Sequence, residues 1–175
     1  MHTQEIEKMT NCYTIHNKTY HMIKLLGHGK SGYSYLVEDD EKNKYTLKKI
    51  HHEPCDYYTF SNKMESELND YNTLKDLILI PKLIDYDIEQ EIIIKEFIEG
   101  NLISDLVKTN IDMHIYIEDI RKTASKCMEK DINIDYYPTN FIVNDRGMYY
   151  VDYECNKYMK EWDFENWGIK YWIKN

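Results

Sequence analysis

Hydrophobic residues change their spacing partway along this chain, and that change restricts the fold more than any other feature. Within residues 20–25, 33–37 and 45–50, apolar and polar side chains alternate. A period of two is typical of strands that bury one face. Apolar residues between 117 and 128 recur instead at helical spacing. The sequence therefore predicts an α+β fold, with an antiparallel sheet first and helices later.

The predicted elements can be placed approximately along the chain. Five strands are expected, and a turn at Asn17-Lys18 precedes the first of them. One helix is expected over residues 58–77, and a second follows a capping residue, Asp112. A short helix is expected over 101–107, a hairpin over 141–151 and an aromatic-rich helix over 162–172. The strands are residues 20–25, 33–37, 45–50, 82–87 and 91–97.

Length and charge exclude several classes of function. A chain of 175 residues suits one domain or two small lobes. The net charge is −9 and arginine occurs only at Arg121 and Arg146, which argues against a nucleic-acid partner. Apolar runs are far too short to cross a bilayer, and no secretory signal is visible, so a cytoplasmic protein without a membrane partner is expected. A polyanionic ligand would need a metal ion to offset repulsion.

Three glycines form a G-x-G-x-x-G pattern at Gly27, Gly29 and Gly32. A strand-like segment follows them, so the pattern favours a loop between antiparallel strands. Backbone N–H groups of such a loop can contact a triphosphate, but an ordinary hairpin with permissive glycines is the alternative. In the third strand, Lys48 is expected on the face opposite Lys49, which is the better candidate for a solvated side chain.

Glu67 is the most informative acidic residue of the first half. It lies on the apolar stripe of the predicted helix, a stripe formed by Phe60, Met64, Tyr71 and Leu74. A carboxylate that faces a core needs a cation, and Lys48 is the natural partner. The alternative is that Glu67 lies at the edge of the stripe and reaches water.

Asp135, Asn140 and Asp152 form the third candidate group. The predicted hairpin between Asn140 and Asp152 would bring these two together at its base. Their oxygens suit Mg²⁺, which prefers hard ligands, and Asp135 would then orient an attacking hydroxyl. Each residue alone is also compatible with an ordinary turn or cap.

Together these residues resemble the protein-kinase-like superfamily over about residues 20–152. The resemblance implies a two-lobed fold with ATP and Mg²⁺ as cofactors. Residues 1–98 would form a five-stranded lobe with one helix, and residues 99–175 a reduced helical lobe. The implied roles are nucleotide binding by Gly27, Gly29, Gly32, Lys48, Glu96 and Ile98, catalysis by Asp135 with Lys48 and Glu67, and Mg²⁺ binding by Asn140 and Asp152.

The sequence departs from the family pattern in places. Asn133-Ile134 replaces the usual His-Arg before the catalytic aspartate, and Glu154 replaces a glycine. The chain ends soon after Asp152, so it is more similar to the compact RIO-like and aminoglycoside-phosphotransferase-like branches. Three functions stay open: a minimal serine/threonine protein kinase as first choice, a small-molecule phosphotransferase, and a nucleotide-binding pseudokinase. The acceptor would be a protein or small-molecule hydroxyl; the oligomeric state is left open.

A metal site at His51, His52 and Cys55 is the remaining alternative. These residues form an H-H-x-x-C pattern after the third strand. Adjacent residues of an extended chain point in opposite directions and seldom share one metal ion. The pattern is therefore interpreted as a polar loop.

Overall fold

The computed structural model describes residues 12–55, 62–109 and 111–173. The chain divides into two compact units. Unit 1 comprises Met1–Thr59 and Leu83–Phe97, and unit 2 comprises Phe60–Lys82 and Ile98–Asn175. The predicted α+β class is confirmed, since a sheet forms in unit 1 and helices form in unit 2. The helix expected with the first lobe falls in unit 2, and the lobe boundaries stay a prediction.

Unit 1 is built on an antiparallel sheet of six strands rather than the predicted five. The strands are β1 (Cys12–Ile15), β2 (Lys18–His28), β3 (Gly32–Glu38), β4 (Lys44–Ile50), β5 (Leu83–Asp87) and β6 (Ile92–Glu96). Their order in the sheet is β1-β2-β3-β4-β6-β5, so strands that are consecutive in the sequence are mostly neighbours. The five predicted strands all form, with slightly different ends.

The additional strand is β1, and its turn explains why the prediction of five strands was wrong. His16 and Asn17 have positive φ values of 45° and 66°, and Ile15 pairs with Lys18 across them. Two consecutive left-handed residues give the turn whose twist matches a two-residue hairpin, and asparagine tolerates that conformation. Ile15 is then fully buried beside Val37 in the core of the sheet. The burial of Ile15 favours pairing of β1 over an open terminus.

The described residues of unit 2 form three α-helices and several short strands. The elements are α1 (Lys63–Leu74), β7 (Asn101–Leu102), α2 (Ile103–Lys108), α3 (His114–Glu129), β8 (Ile132–Ile134), β9 (Phe141–Asn144), β10 (Gly147–Tyr150) and β11 (Cys155–Lys157). The predicted hairpin is confirmed and consists of β9 and β10, and β7 pairs with β9. A separate two-stranded sheet joins β8 and β11.

Polar side chains bind backbone amides at the starts of the two longer helices. The side chain of Asn62 accepts a hydrogen bond from the Glu65 amide at the start of α1. The N-cap of α3 is Met113 rather than the predicted Asp112, although the Asp112 carboxylate, one residue earlier, accepts a hydrogen bond from the His114 amide at 2.9 Å. The expected residues 58–61 of α1 lie outside the described residues. None of the helices in the described ranges is long and apolar enough to span a membrane.

The tail differs from the predicted continuous helix. Residues 160–171 form separate short turns, of which Phe164–Gly168 is a wide π turn and its neighbours are 3₁₀ turns. Aromatic residues and glycine are poorer helix formers than alanine or leucine, and Gly168 interrupts the segment. A Cβ at Gly168 would lie 2.7 Å from the Cβ of Tyr136. Close packing of the aromatic side chains therefore determines this backbone more than helix propensity does.

Candidate active site

The glycine pattern lies at the tip of the β2–β3 hairpin in unit 1. The Gly29 amide donates to the Gly32 carbonyl at 2.9 Å and closes the turn. A Cβ at Gly32 would lie 2.6 Å from the Lys49 carbonyl oxygen of β4, so only glycine fits there. A Cβ at Gly27 would meet no described atom within 4 Å. Close packing against β4 therefore explains why residue 32 is glycine. At residue 27 a side chain would have room, so packing does not explain that glycine.

Lys48 and Lys49 lie on opposite faces of β4, as predicted. Lys48 is paired in register with Ser34 of β3 and Ile93 of β6, and it is only 6% exposed. Lys49 is half-buried and donates to the backbone carbonyl of Gln90, so it is the more solvated of the two lysines, as expected. A buried lysine requires polar or anionic surroundings. Lys48 is therefore not an ordinary surface lysine, whose ammonium group is exposed to solvent.

The other first-half candidates also have defined positions. Glu67 is 7% exposed and lies on the same side of α1 as Met64 and Leu74, so its predicted place on the buried stripe is confirmed. Glu96 ends β6 opposite Tyr45, and Ile98 is 3% exposed. Because Lys48 belongs to unit 1 and Glu67 to unit 2, the proposed ion pair between them stays a prediction. Phe60 lies outside the described residues.

The hydroxyl of Tyr150 connects two predicted site segments of unit 2. It accepts a hydrogen bond from the Asp135 amide at 3.2 Å and donates one to the Glu154 carbonyl at 2.8 Å. The Tyr150 side chain is buried, with 1% exposure. A buried hydroxyl with two backbone partners holds both segments in a fixed arrangement. The segment carrying Asp135 is therefore joined to the one following Asp152.

Asn140 is held at the base of the same hairpin. Its carbonyl accepts a hydrogen bond from the Val151 amide at 2.9 Å, directly before Asp152. Its side-chain nitrogen donates to the Asp135 carbonyl at 3.3 Å. The hydrogen bonds of the Asn140 backbone carbonyl and side chain therefore bring together the chain segments that carry Asp135, Asn140 and Asp152. The amide oxygen of Asn140 and the Asp152 carboxylate are hard donors of the kind that Mg²⁺ prefers.

The carboxylates of the site are oriented by neighbouring backbone amides. Asp135 accepts from the Tyr137 amide at 3.1 Å, and Asp152 accepts from the Tyr153 amide at 2.8 Å. Both are short-range bonds that orient an aspartate relative to its own loop. Each aspartate is partly exposed. Local loop geometry thus fixes the carboxylates without burying them.

The Tyr150 hydroxyl stays protonated at neutral pH. Burial raises the pKa of Tyr150 well above its usual value, and the nearby Asp152 raises it further. The hydrogen bond from the Asp135 amide lowers this pKa, whereas the charges of Asp135 and Glu154 raise it. The hydroxyl is therefore able to donate to the Glu154 carbonyl while it accepts from the Asp135 amide.

Removal of the Tyr150 hydroxyl tests whether it holds the two segments. In a Tyr150→Phe variant the Asp135 amide and the Glu154 carbonyl lose their shared partner, and we expect unfolding free energy to fall by about 2 kcal/mol. Urea denaturation measures the change. Tyr149→Phe on the neighbouring, opposite-facing residue is the matched control and should change stability by less than about 0.5 kcal/mol. Equal effects of the two variants would contradict a bridging role.

A second acidic residue of unit 2 has an altered pKa. Asp70 of α1 accepts hydrogen bonds from the Cys155 amide at 3.3 Å and the Cys155 thiol at 3.4 Å. Burial raises the pKa of Asp70 to about 6, and Glu67 and Glu154 also raise it. Burial and the neighbouring Asp70 raise the pKa of the Cys155 thiol to about 12, so this thiol stays a protonated donor. Ionised Asp70 therefore costs folding free energy at neutral pH.

The raised pKa of Asp70 predicts a pH-dependent stability difference. Between about pH 6 and its ordinary value of 3.8, folded Asp70 binds a proton that the unfolded chain does not, so its contribution to stability improves as pH falls. An Asp70→Asn variant cannot titrate. The natural chain gains stability between pH 8 and pH 4 and the variant does not, so the unfolding free energy of the variant minus that of the natural chain should fall by about 1–2 kcal/mol over this range. This figure is smaller than the full pKa shift implies, because Asp70 is partly exposed and solvent screens its charge. Urea titrations across this range measure it. Exposed Asp76→Asn is the control, and a flat profile for Asp70→Asn would contradict the assignment.

Sequence reasoning missed two contributors to the polar sites. One is Tyr150, since no pattern in the sequence indicated that its hydroxyl bridges two loops. His28 and Glu53 converge with His51, although the sequence separates them by a hairpin and a strand. His52 instead contacts Glu91 at 2.7 Å. His51 and His52 therefore contact different partners, which agrees with the expectation that these adjacent residues do not share one metal ion.

Comparison with known proteins adds no family assignment. No protein-family profile matches the chain, and comparison with the curated proteins also finds no match.

Proposed function

We propose that the protein is an ATP-dependent phosphotransferase. The observation that carries the proposal is the hydrogen bonding around Tyr150 and Asn140, which joins the segments of Asp135, Asn140 and Asp152. Oxygen donors beside a hydroxyl-orienting carboxylate are what phosphoryl transfer requires, since its catalysis is mostly positioning and charge stabilisation. The resemblance to the protein-kinase-like superfamily is the second support.

The residues of unit 2 have distinct proposed roles. Asn140 and Asp152 would hold Mg²⁺, which neutralises charge on the phosphates of bound ATP. Asp135 accepts the proton of the acceptor hydroxyl or orients that hydroxyl. The Tyr137 amide holds one Asp135 carboxylate oxygen at 3.1 Å, which restricts the rotation of that side chain. Each residue therefore needs the local loop geometry described above.

The residues of unit 1 supply the nucleotide-binding part of the proposal. The turn that carries Gly27, Gly29 and Gly32 between β2 and β3 is the proposed phosphate-facing segment. By the resemblance, Lys48 in β4 would contact the α- and β-phosphates. Lys48 is 6% exposed, and a buried ammonium group is costly unless an anionic or polar partner is close to it. Such burial fits a role in binding an anion better than a role in solubility. Glu96 and Ile98 are the proposed adenine-facing residues.

Phosphate transfer from γ-labelled ATP tests the proposal and separates the acceptor classes. Purified protein is incubated with labelled ATP and Mg²⁺ alone, with a protein extract, and with a panel of small hydroxyl compounds. Label on the chain or on extract proteins supports a serine/threonine protein kinase, our first choice. Label on a small compound supports the alternative phosphotransferase. Nucleotide binding without transfer would overturn the enzymatic proposal, and absence of both would overturn the nucleotide site as well.

A further inference from the structure

Two histidines and a glutamate converge at the tip of the β2–β3 hairpin. His28 is the last residue of β2, whereas His51 and Glu53 follow β4. One ligand atom from each of these three residues lies within 4.8 Å of the others. Among the histidines, cysteines and acidic residues of the described ranges, this is the group with that property. We refer to His28, His51 and Glu53 as the histidine–glutamate cluster.

Distances within the cluster suit a single small cation. His28 Nε2 lies 3.1 Å from Glu53 Oε2, and His51 Nε2 lies 3.9 Å from the same oxygen. The two imidazole rings are 5.1 Å apart at their centroids. Ligand atoms of a tetrahedral zinc site are separated by about 3.3 Å, given metal–ligand bonds of about 2.0–2.1 Å. Small side-chain rotations therefore bring all three atoms to coordination distance.

Two of the three ligand side chains have outer partners of the kind that metal sites use. The Tyr33 hydroxyl donates to Glu53 Oε1, and the Tyr33 ring stacks on the His28 ring with centroids 4.2 Å apart. Such contacts orient metal ligands in proteins. The Glu53 amide donates to His51 Nδ1 at 3.2 Å, so the neutral His51 ring carries its proton on Nε2 in the absence of metal. Metal binding at Nε2 requires the other tautomer, with the proton on Nδ1, and that hydrogen bond is then lost.

The donor types select the class of ion. Imidazole nitrogens suit zinc, copper, nickel and cobalt, whereas Mg²⁺ and Ca²⁺ prefer oxygen ligands only. His28 and Glu53 are about half exposed, with side-chain exposures of 48% and 49%, so solvent can complete the coordination. We propose that the histidine–glutamate cluster binds a divalent transition-metal ion of the zinc class. This site differs from the oxygen-donor site of unit 2, and it does not rest on the proposed phosphotransferase activity.

Metal binding at the cluster would change how His51 is held to the glycine turn. In the structure His51 Nε2 contacts the Gly29 carbonyl at 2.8 Å, and the His51 amide donates to the Ser31 carbonyl at 3.0 Å. A metal ion at Nε2 takes the place of the contact with Gly29, and the imidazole proton moves from Nε2 to Nδ1, so the ring stays neutral. The amide bond to Ser31 is unaffected. The ion would link His28, at the end of β2, to the segment that follows β4.

Cobalt spectroscopy and zinc calorimetry on the full chain test the site. Co²⁺ should bind saturably at one equivalent and give visible d–d absorption without a strong thiolate charge-transfer band, because the site contains no cysteine. Zn²⁺ should compete with Co²⁺. In Glu53→Gln and in His28→Ala, the dissociation constant for Zn²⁺ should increase by about tenfold or more. Circular dichroism checks that each variant is folded, and the isosteric Glu53→Gln variant preserves the shape of the cluster.

His52→Ala is the matched control, because it removes an adjacent exposed histidine that is also paired with a glutamate, Glu91, at 2.7 Å. It should leave the zinc affinity unchanged. Three results would overturn the proposal: no saturable Co²⁺ binding, equal losses in His52→Ala and Glu53→Gln, or a thiolate band that disappears in Cys55→Ser. The last result would instead support the H-H-x-x-C pattern.

Discussion

An Asp152→Asn variant is expected to lose phosphoryl transfer by about 10²-fold or more while its stability stays within about 1 kcal/mol of the natural chain. Asparagine retains an oxygen that can accept the 2.8 Å hydrogen bond from the Tyr153 amide, so the loop keeps its geometry. The variant lacks the negative charge that would hold Mg²⁺. Loss of charge without loss of shape therefore separates a role in metal binding from a structural role.

Transfer from γ-labelled ATP over a range of Mg²⁺ concentrations measures the effect, and urea denaturation measures the stability. Asp145→Asn is the matched control, because Asp145 is an exposed aspartate in the β9–β10 turn of the same hairpin. Its activity should stay within about twofold of the natural chain. Transfer by Asp152→Asn at the natural rate would show that Asp152 is not the metal ligand. Equal losses in the two variants would point to a general effect of charge.

Local patterns in the sequence were sufficient to predict the strands, the buried side of α1 and one hairpin. Alternating and apolar runs predicted β2 to β6. Burial itself follows a strict period of two in few of these strands, since residues 92–95 of β6 are all buried. Helical spacing placed Glu67 on the buried side of α1. Turn residues between Asn144 and Gly147 predicted the β9–β10 hairpin. In each case residues close together in the sequence carry the information that specifies the element.

The remaining features depend on atoms that are distant in the sequence. The bridge made by Tyr150 needs a hydroxyl at one position and two backbone groups from other loops, and a periodic pattern specifies only the face of a residue. The convergence of Glu53 with His28 depends on how residues beyond β4 continue past the hairpin tip. The tail was also misjudged, since aromatic packing overrode the expected helix. Periodicity carries no information about such pairings.

A Trp172→Ala variant should lower the free energy of unfolding by about 4 kcal/mol, because a fully buried aromatic side chain is replaced by a cavity. The Trp172 ring contacts those of Phe141 and Phe164, with centroids 5.2 Å and 5.6 Å away. Its indole N–H donates to the Tyr136 carbonyl at 2.7 Å, and the variant leaves that buried acceptor unpaired. The midpoint of thermal unfolding should fall by about 8–16 °C for a chain of this size.

Two further tryptophan variants separate the causes of this loss. Trp162→Ala removes a ring that is 52% exposed and should cost less than about 1 kcal/mol. Trp172→Phe keeps most of the ring volume but lacks the N–H donor, so it should lie between the two, at about 2 kcal/mol. Thermal and urea unfolding of the three variants test this order. A Trp172→Ala variant as stable as Trp162→Ala would show that the tail is not part of the core that supports Tyr136, the residue next to Asp135. If the order holds, Trp172 belongs to the core that supports Tyr136, the residue next to Asp135.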